Sequence, residues 1–241
     1  HVRRRRQRQM CIRDRAPTYN CELPVSGLKI RFRPFLVKEQ NHMLVIREGE
    51  SEAEIFDAIV NMVKSVTDGE VDAYKLPMAD LEYLFCQIRA RSVGEALNLP
   101  LICRNQGCNH VYKTNVDLLT LTVDVPETQN QIELNEELII EMQPPLAADA
   151  MKWTGVQEHE LIKPLMRTCM VRIFDSEEIF EMKDHRDSEI DEFVDSLSME
   201  QFAKISEFFA NLPALQHIES WTCENCGHEN ELILKGLNNF F

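Results

Sequence analysis

Leu99-Pro100-Leu101-Ile102-Cys103-Arg104-Asn105-Gln106-Gly107-Cys108-Asn109-His110 and Trp221-Thr222-Cys223-Glu224-Asn225-Cys226-Gly227-His228 are two cysteine knuckles in one chain of 241 residues. Each cysteine pair sits in a tight turn flanked by apolar, strand-forming residues, the sequence form of a hairpin whose turn offers two thiolates. A tetrahedral Zn²⁺ takes four such ligands at about 2.3 Å, so two knuckles can close one structural site. The spacing therefore predicts a zinc ion held by Cys103, Cys108, Cys223 and Cys226. The Cys-x2-Cys-Gly form is the more specific of the two, because Gly227 lets backbone amides approach the sulfurs. The Cys-x4-Cys form is less so, and the 114 residues between Cys108 and Cys223 far exceed an ordinary ribbon. The alternative is that Cys103 and Cys108 are ordinary thiols and only the second knuckle matters. His110 and His228, each two residues past a knuckle cysteine, could replace a sulfur ligand, although a turn-surface histidine is the commoner case.

With 44% hydrophobic and 27% charged residues, the chain has the composition of a globular protein with a sizeable core in one or two domains. No apolar run approaches the roughly 20 residues that cross a bilayer. Eight irregularly spaced cysteines do not make a secreted disulfide scaffold, and two clustered pairs point to a metal in a reducing compartment. Cys86 and Cys169 lie among apolar residues and read as buried, inert thiols.

Residues 1–15 differ from the rest, with seven arginines and one aspartate. A basic arm for nucleic acid is one reading. The other is a non-native or disordered leader, since Met10-Cys11-Ile12-Arg13-Asp14-Arg15 resembles translated sequencing adaptor. Without this stretch, 19 basic residues face 39 acidic ones, a net charge near −20. A body that acidic repels phosphate backbones, which disfavours a nucleic-acid-binding zinc ribbon as the alternative function.

Leu28, Ile30 and Phe32 alternate with Lys29, Arg31 and Arg33, predicting a half-buried strand that Pro34 ends. Ser51 and Glu54 form a capping box before a helix with the stripe Ile55, Ile59, Met62, Val63 and Val66, stopped by Asp68-Gly69. After Pro77, Leu81, Leu84, Phe85 and Ile88 mark a second helix, with Asp80 complementing its dipole. Residues 111–125 read as one or two strands, and 131–142 as a hairpin across Asn135-Glu136. Pro144-Pro145 is taken as the passage into a helical half. Within it, 160–169 suits a helix with Pro164 in its first turn, and 170–180 fits helix or strand equally. Ser188 is expected to cap a helix through Ile190, Phe193, Val194 and Leu197. Ser198 and Gln201 form a capping box for Phe202, Ile205, Phe209 and Leu212. The fold expected is α+β. A β-rich N-terminal half carries two amphipathic helices, the C-terminal half is helical, and a zinc-ribbon-like site joins the two distant knuckles. The divisions are 1–15 (leader), 16–143 (α+β with the first knuckle), 144–219 (mostly helical) and 220–241 (second knuckle packing back on the first). Phe240 and Phe241 are expected to dock into the core or a partner.

The chain contains no Gly-x-Gly-x-x-Gly, no Gly-x4-Gly-Lys-Ser/Thr, no Gly-x-Ser-x-Gly and no His-Glu-x-x-His, the last despite His159-Glu160. A four-cysteine zinc has no open position for catalysis, so no catalytic residue is assigned and no enzyme is expected.

The segment Cys21-Glu-Leu-Pro-Val-Ser-Gly-Leu-Lys-Ile-Arg-Phe-Arg-Pro-Phe-Leu-Val-Lys-Glu-Gln40 resembles the amino-terminal block of the T4-like bacteriophage baseplate hub subunit family. Leu76 to Glu95, with Asp80-Leu-Glu-Tyr-Leu-Phe85 and Ile88-Arg-Ala-Arg-Ser-Val-Gly-Glu95, is similar to the same family. So is the C-terminal knuckle with Gly236-Leu237 and Phe240-Phe241. The likeness runs from about residue 18 to the end, and the arginine-rich start departs from it. It implies a non-catalytic virion protein of the tail baseplate hub, assembled in the host cytoplasm by binding other tail and baseplate proteins.

Overall fold

The computed structural model describes residues 17–41, 52–126, 130–153, 160–176 and 178–236. The chain divides into two compact units. The first takes in His1–Ala73, Asp80–Thr122 and Leu215–Phe241, and the second Tyr74–Ala79 and Val123–Ala214. Along the sequence, most of the second unit is thus an insertion between the two knuckle-bearing segments of the first. That insertion accounts for the long separation of the knuckles.

The first unit begins with a hairpin of β1 (Tyr19–Glu22) and β2 (Lys29–Phe32). As its alternation predicts, Ile30 and Phe32 are buried while Lys29 and Arg31 face water. Leu28 falls outside the strand and is exposed, because its carbonyl is turned back to accept from the Leu23 amide at 2.9 Å. Helices α1 (Glu52–Val66) and α2 (Met78–Ser92) follow. Ser51, the expected cap of α1, lies outside the described residues. The helix ends at Asp68 and Gly69, both with positive φ, and the Gly69 amide donates to the Lys64 carbonyl at 2.8 Å, a Schellman-type ending. In α2, Leu81, Leu84, Phe85 and Ile88 are all buried.

Asp80 does more than complement the dipole of α2. Its fully buried carboxylate accepts from the amides of Val25 (2.8 Å) and Ser26 (2.9 Å), which fixes the β1–β2 turn against the helix start. Arg33 is buried too. Its guanidinium forks onto Glu39 (2.9 and 3.1 Å) and reaches the Ser65 carbonyl, and its amide donates to Val66 O. Burial opposes ionisation of Glu39, but the hydrogen bonds from Arg33, Ser65 and Leu36 win and lower its pKa to about 2.

Two further hairpins complete this unit. Strand β3 (Ala96–Ile102) pairs with β4 (Val111–Asp117) in register Ile102↔Val111. Strand β10 (Ala214–Thr222) pairs with β11 (Glu229–Lys235) in register Thr222↔Glu229. The short β5 (Thr122–Asp124) joins the latter sheet in the order β11-β10-β5.

The second unit is built on an antiparallel sheet ordered β6-β7-β8-β9. Its strands are β6 (Gln131–Glu133), β7 (Ile139–Met142), β8 (Met170–Phe174) and β9 (Ile179–Glu181). The turn of the first hairpin is held by Asn135, whose side-chain oxygen accepts from the Glu137 and Leu138 amides. Helices α3 (Ala147–Lys152), α4 (Ile162–Cys169), α5 (Asp187–Ser196) and α6 (Met199–Ala210) accompany the sheet. Ile140, Met142, Met166, Cys169, Ile190 and Ile205 belong to one buried cluster. Pro164 sits in the first turn of α4, and the Ser198–Gln201 capping box closes at 2.9 and 3.2 Å.

This arrangement corrects the expected fold class. The C-terminal half is not helical: helices are spread along the chain, the two 15-residue ones precede the first knuckle, and strands β8 to β11 all follow Pro144-Pro145. The proline pair interrupts the chain but not the sheet, since β8 returns to pair with β7, Ile140 opposite Ile173. The strand at 170–174 is masked in sequence because its buried positions, Met170 and Ile173, do not alternate, next to a bulge at Glu141/Met142. In β10, the residues paired opposite Leu234 and Leu232 are His217 and Glu219, and polar side chains at such positions hide the period of two. At α5 the N-cap is Arg186 rather than Ser188, with Glu189 accepting from the Arg186 amide at 2.9 Å.

Candidate metal centre

The β3–β4 and β10–β11 hairpins each place a cysteine immediately after their first strand. They bring Cys103, Cys108, Cys223 and Cys226 together, all four sulfurs within 4.8 Å of one another. Across the knuckles, Cys103 Sγ lies 3.7 Å from Cys226 Sγ and Cys108 Sγ lies 3.7 Å from Cys223 Sγ. Four sulfurs placed about 2.3 Å from a common centre form a tetrahedron with edges of about 3.8 Å. The donor set and its spacing therefore fit a soft divalent metal, and the four lie close enough to hold one ion. His110 and His228 are not part of the cluster. Their carbonyls instead close the turns, accepting from the Cys103 amide (2.9 Å) and the Cys223 amide (2.8 Å).

Burial divides the four. Cys103 and Cys223 are buried, Cys108 is half-buried and Cys226 is exposed. Burial pushes the Cys223 thiol up to about 11. Cys226 is drawn down to about 6, chiefly by a hydrogen bond from the Asn105 side chain and next by the His228 backbone. Cys108 is lowered by the Asn225 side chain first and the His110 backbone second. The two remaining thiols singled out by sequence, Cys86 and Cys169, are fully buried and pushed up to about 12 by that burial, as inert core thiols should be.

Behind the sulfurs the two hairpins are joined by contacts that sequence reasoning missed. Tyr112 stacks on Trp221 with ring centroids 5.2 Å apart and planes 6° from parallel. Glu219 accepts from Thr114 Oγ1 at 2.7 Å and lies 3.0 Å from His217 Nε2. Burial opposes ionisation of Glu219, yet the hydrogen bonds from Thr114 and His217 leave its pKa lowered. Asn230, also buried, accepts from the Arg104 amide (2.8 Å) and donates to His228 O (3.0 Å) and towards Cys103 Sγ (3.7 Å). One signal for these groups was present in the sequence: Asn105 and Asn225 each stand two residues after the first cysteine of their knuckle.

Among the described residues, no helix is long and apolar enough to cross a membrane. No curated protein and no solved structure matches the chain. A family model described as T4 bacteriophage base plate protein matches residues 16–241, which is nearly the whole chain and includes both knuckles. The chain belongs to the T4 bacteriophage base plate protein family, structural components of the phage tail.

Proposed function

We propose that the chain is a subunit of the baseplate hub of a contractile-tail phage, assembled in the host cytoplasm, that acts by binding other baseplate proteins and catalyses nothing. The family match across residues 16–241 carries this reading. We further propose that one zinc ion is held by Cys103, Cys108, Cys223 and Cys226. Zinc suits four thiolates, and its charge would favour the thiolate form of all four cysteines, the buried Cys103 and Cys223 included. Bound there, it would supply no reaction chemistry, because four protein ligands fill a tetrahedral ion. It would instead cross-link the two segments between which the second unit is inserted, closing a loop of more than a hundred residues. The hub reading rests further on acidity. A net charge near −20 outside the leader keeps the chain soluble until it meets a complementary surface and steers which surface that is. That charge also weighs against the nucleic-acid-binding alternative.

Co-expression with the baseplate gene products of the same phage tests this. The expected result is a complex that survives gel filtration, with an interface on the order of 1,200–2,000 Å². If the chain elutes alone beside every baseplate protein, and its deletion leaves infectious particles, the hub reading is wrong.

A further inference from the structure

The sulfur cluster is surrounded by side-chain amides in a reciprocal arrangement. Asn225, in the second knuckle, donates to Cys108 Sγ in the first at 3.4 Å. Asn105, in the first knuckle, is the side chain that does most to lower the Cys226 thiol in the second. The two asparagines hold the same place in their knuckles, two residues past the first cysteine, and each serves the second cysteine of the opposite one. Asn230 adds a third donor, from β11 of the second hairpin towards Cys103 in the first. Both recorded bonds, and the influence of Asn105, thus cross from one hairpin to the other.

Four thiolates around one divalent ion carry a net charge of about −2, which favours protonation and escape of the ligands unless hydrogen-bond donors spread that charge. Backbone amides commonly supply such donors. Here the His110 and His228 backbones already serve Cys108 and Cys226, while the Cys103 and Cys223 amides are taken by the His110 and His228 carbonyls. Side-chain amides aimed across the gap supply donors of equal chemistry, and because they cross, they also set the approach of one knuckle to the other.

We propose that Asn105, Asn225 and Asn230 are positioning residues of the cysteine centre, donating N–H···S hydrogen bonds that hold its sulfurs in place and slow the loss of a bound soft metal ion. This rests on the reading of the cluster as a metal site. It extends that reading by assigning the outer groups that tune it.

The test uses the full chain loaded with one equivalent of Co²⁺ or Zn²⁺. Asn105 and Asn225 are exposed, so Asn105→Ala and Asn225→Ala should fold, whereas a change at buried Asn230 could disturb packing and is not relied upon. Outer groups of this kind typically alter metal affinity by about 10–100-fold. Each alanine variant is therefore expected to weaken zinc roughly tenfold in competition with a chelator at fixed pH. In the cobalt form, the thiolate-to-metal charge-transfer band should move to lower energy, because a sulfur relieved of a donor holds its electrons less tightly. Asn225→Asp, of the same shape but with a carboxylate facing the sulfur, should exceed Asn225→Ala in both effects. Gln106→Ala, exposed in the same turn, should change neither. If the wild-type chain binds one metal and the asparagine variants match it in affinity and spectrum, the inference is overturned while the metal site stands. If the wild-type chain gives no tetrahedral thiolate spectrum with Co²⁺, the metal site itself is wrong and the inference falls with it.

Discussion

In the first knuckle four residues separate the cysteines and in the second only two, yet the two turns finish alike. The residue after the second cysteine has positive φ in both, 49° at Asn109 and 71° at Gly227. The histidine that follows then turns its carbonyl back onto the amide of the first cysteine. The longer loop absorbs its two extra residues with another left-handed position, Gly107 at φ 82°. The spacing between the cysteines is thus negotiable, whereas the left-handed exit and the closing His–Cys bond are common to both. A second difference lies in environment. Each knuckle has one buried cysteine, Cys103 or Cys223, but the second alone has an exposed one, Cys226.

If one ion needs both knuckles, removing either buried sulfur should do equal harm. Cys103→Ser and Cys223→Ser should each abolish stoichiometric zinc and forfeit much of a metal contribution on the order of 10 kcal/mol. Metal analysis and denaturant unfolding of the two variants check this. A Cys103→Ser protein as stable and as metal-loaded as the parent would break the equivalence and leave the second knuckle to act alone.

A finer comparison concerns the two left-handed exits. Gly227→Ala finds open space for its Cβ but places an alanine at φ 71°, which costs about 1–2 kcal/mol of strain. Asn109→Gly, at the equivalent position, relieves strain at the cost of chain entropy and should stay within about 0.5 kcal/mol of the parent. Thermal melts of the metal-loaded variants would show whether the turns are alike in energy as in shape.

A pH-dependent effect is expected where the hairpins meet behind the sulfurs. The folded pKa of Glu219 is lowered, so its contribution is present above the ordinary carboxylate range and is lost as pH falls through that range towards the folded value. Glu219→Gln should cost about 1 kcal/mol at pH 7 and progressively less as falling pH protonates the carboxylate. Stability of the two proteins measured from pH 7 to pH 3 should therefore converge. Parallel curves would show that the carboxylate adds nothing specific.

How much of this could be read from sequence follows the same physics. Helices α1 and α2 were legible because apolar residues at helical spacing met clear stop signals, Asp68-Gly69 and Ser92 to Gly94. The hairpin at Asn135 was legible because one side chain can build that turn. The two cysteine pairs that the fold clusters were legible from spacing within each knuckle, although nothing local joins residues so far apart. The error over a helical second half arose where strands lack a polar–apolar alternation. Strand β8 buries Met170 and Ile173 beside a bulge, and β10 sets His217 and Glu219 opposite leucines of β11, with Thr114 supplying a hydrogen bond to Glu219. Arg33 and Asp80 were missed as buried anchors for a related reason. Their partners, Glu39, Ser65, Val25 and Ser26, are brought to them by the fold, and charge alone reads as surface.

Two hairpins from distant segments bring four cysteine sulfurs within 4.8 Å of one another, and the proposed metal site stands or falls on the ion they hold. X-ray absorption at the zinc edge, on chain purified without chelators, tests it most directly when combined with metal quantitation. The account expects one zinc per chain with four sulfur neighbours at about 2.3 Å and no nitrogen or oxygen in the first shell. A metal-free protein, or a zinc with only two sulfurs and lighter atoms completing its shell, would contradict it.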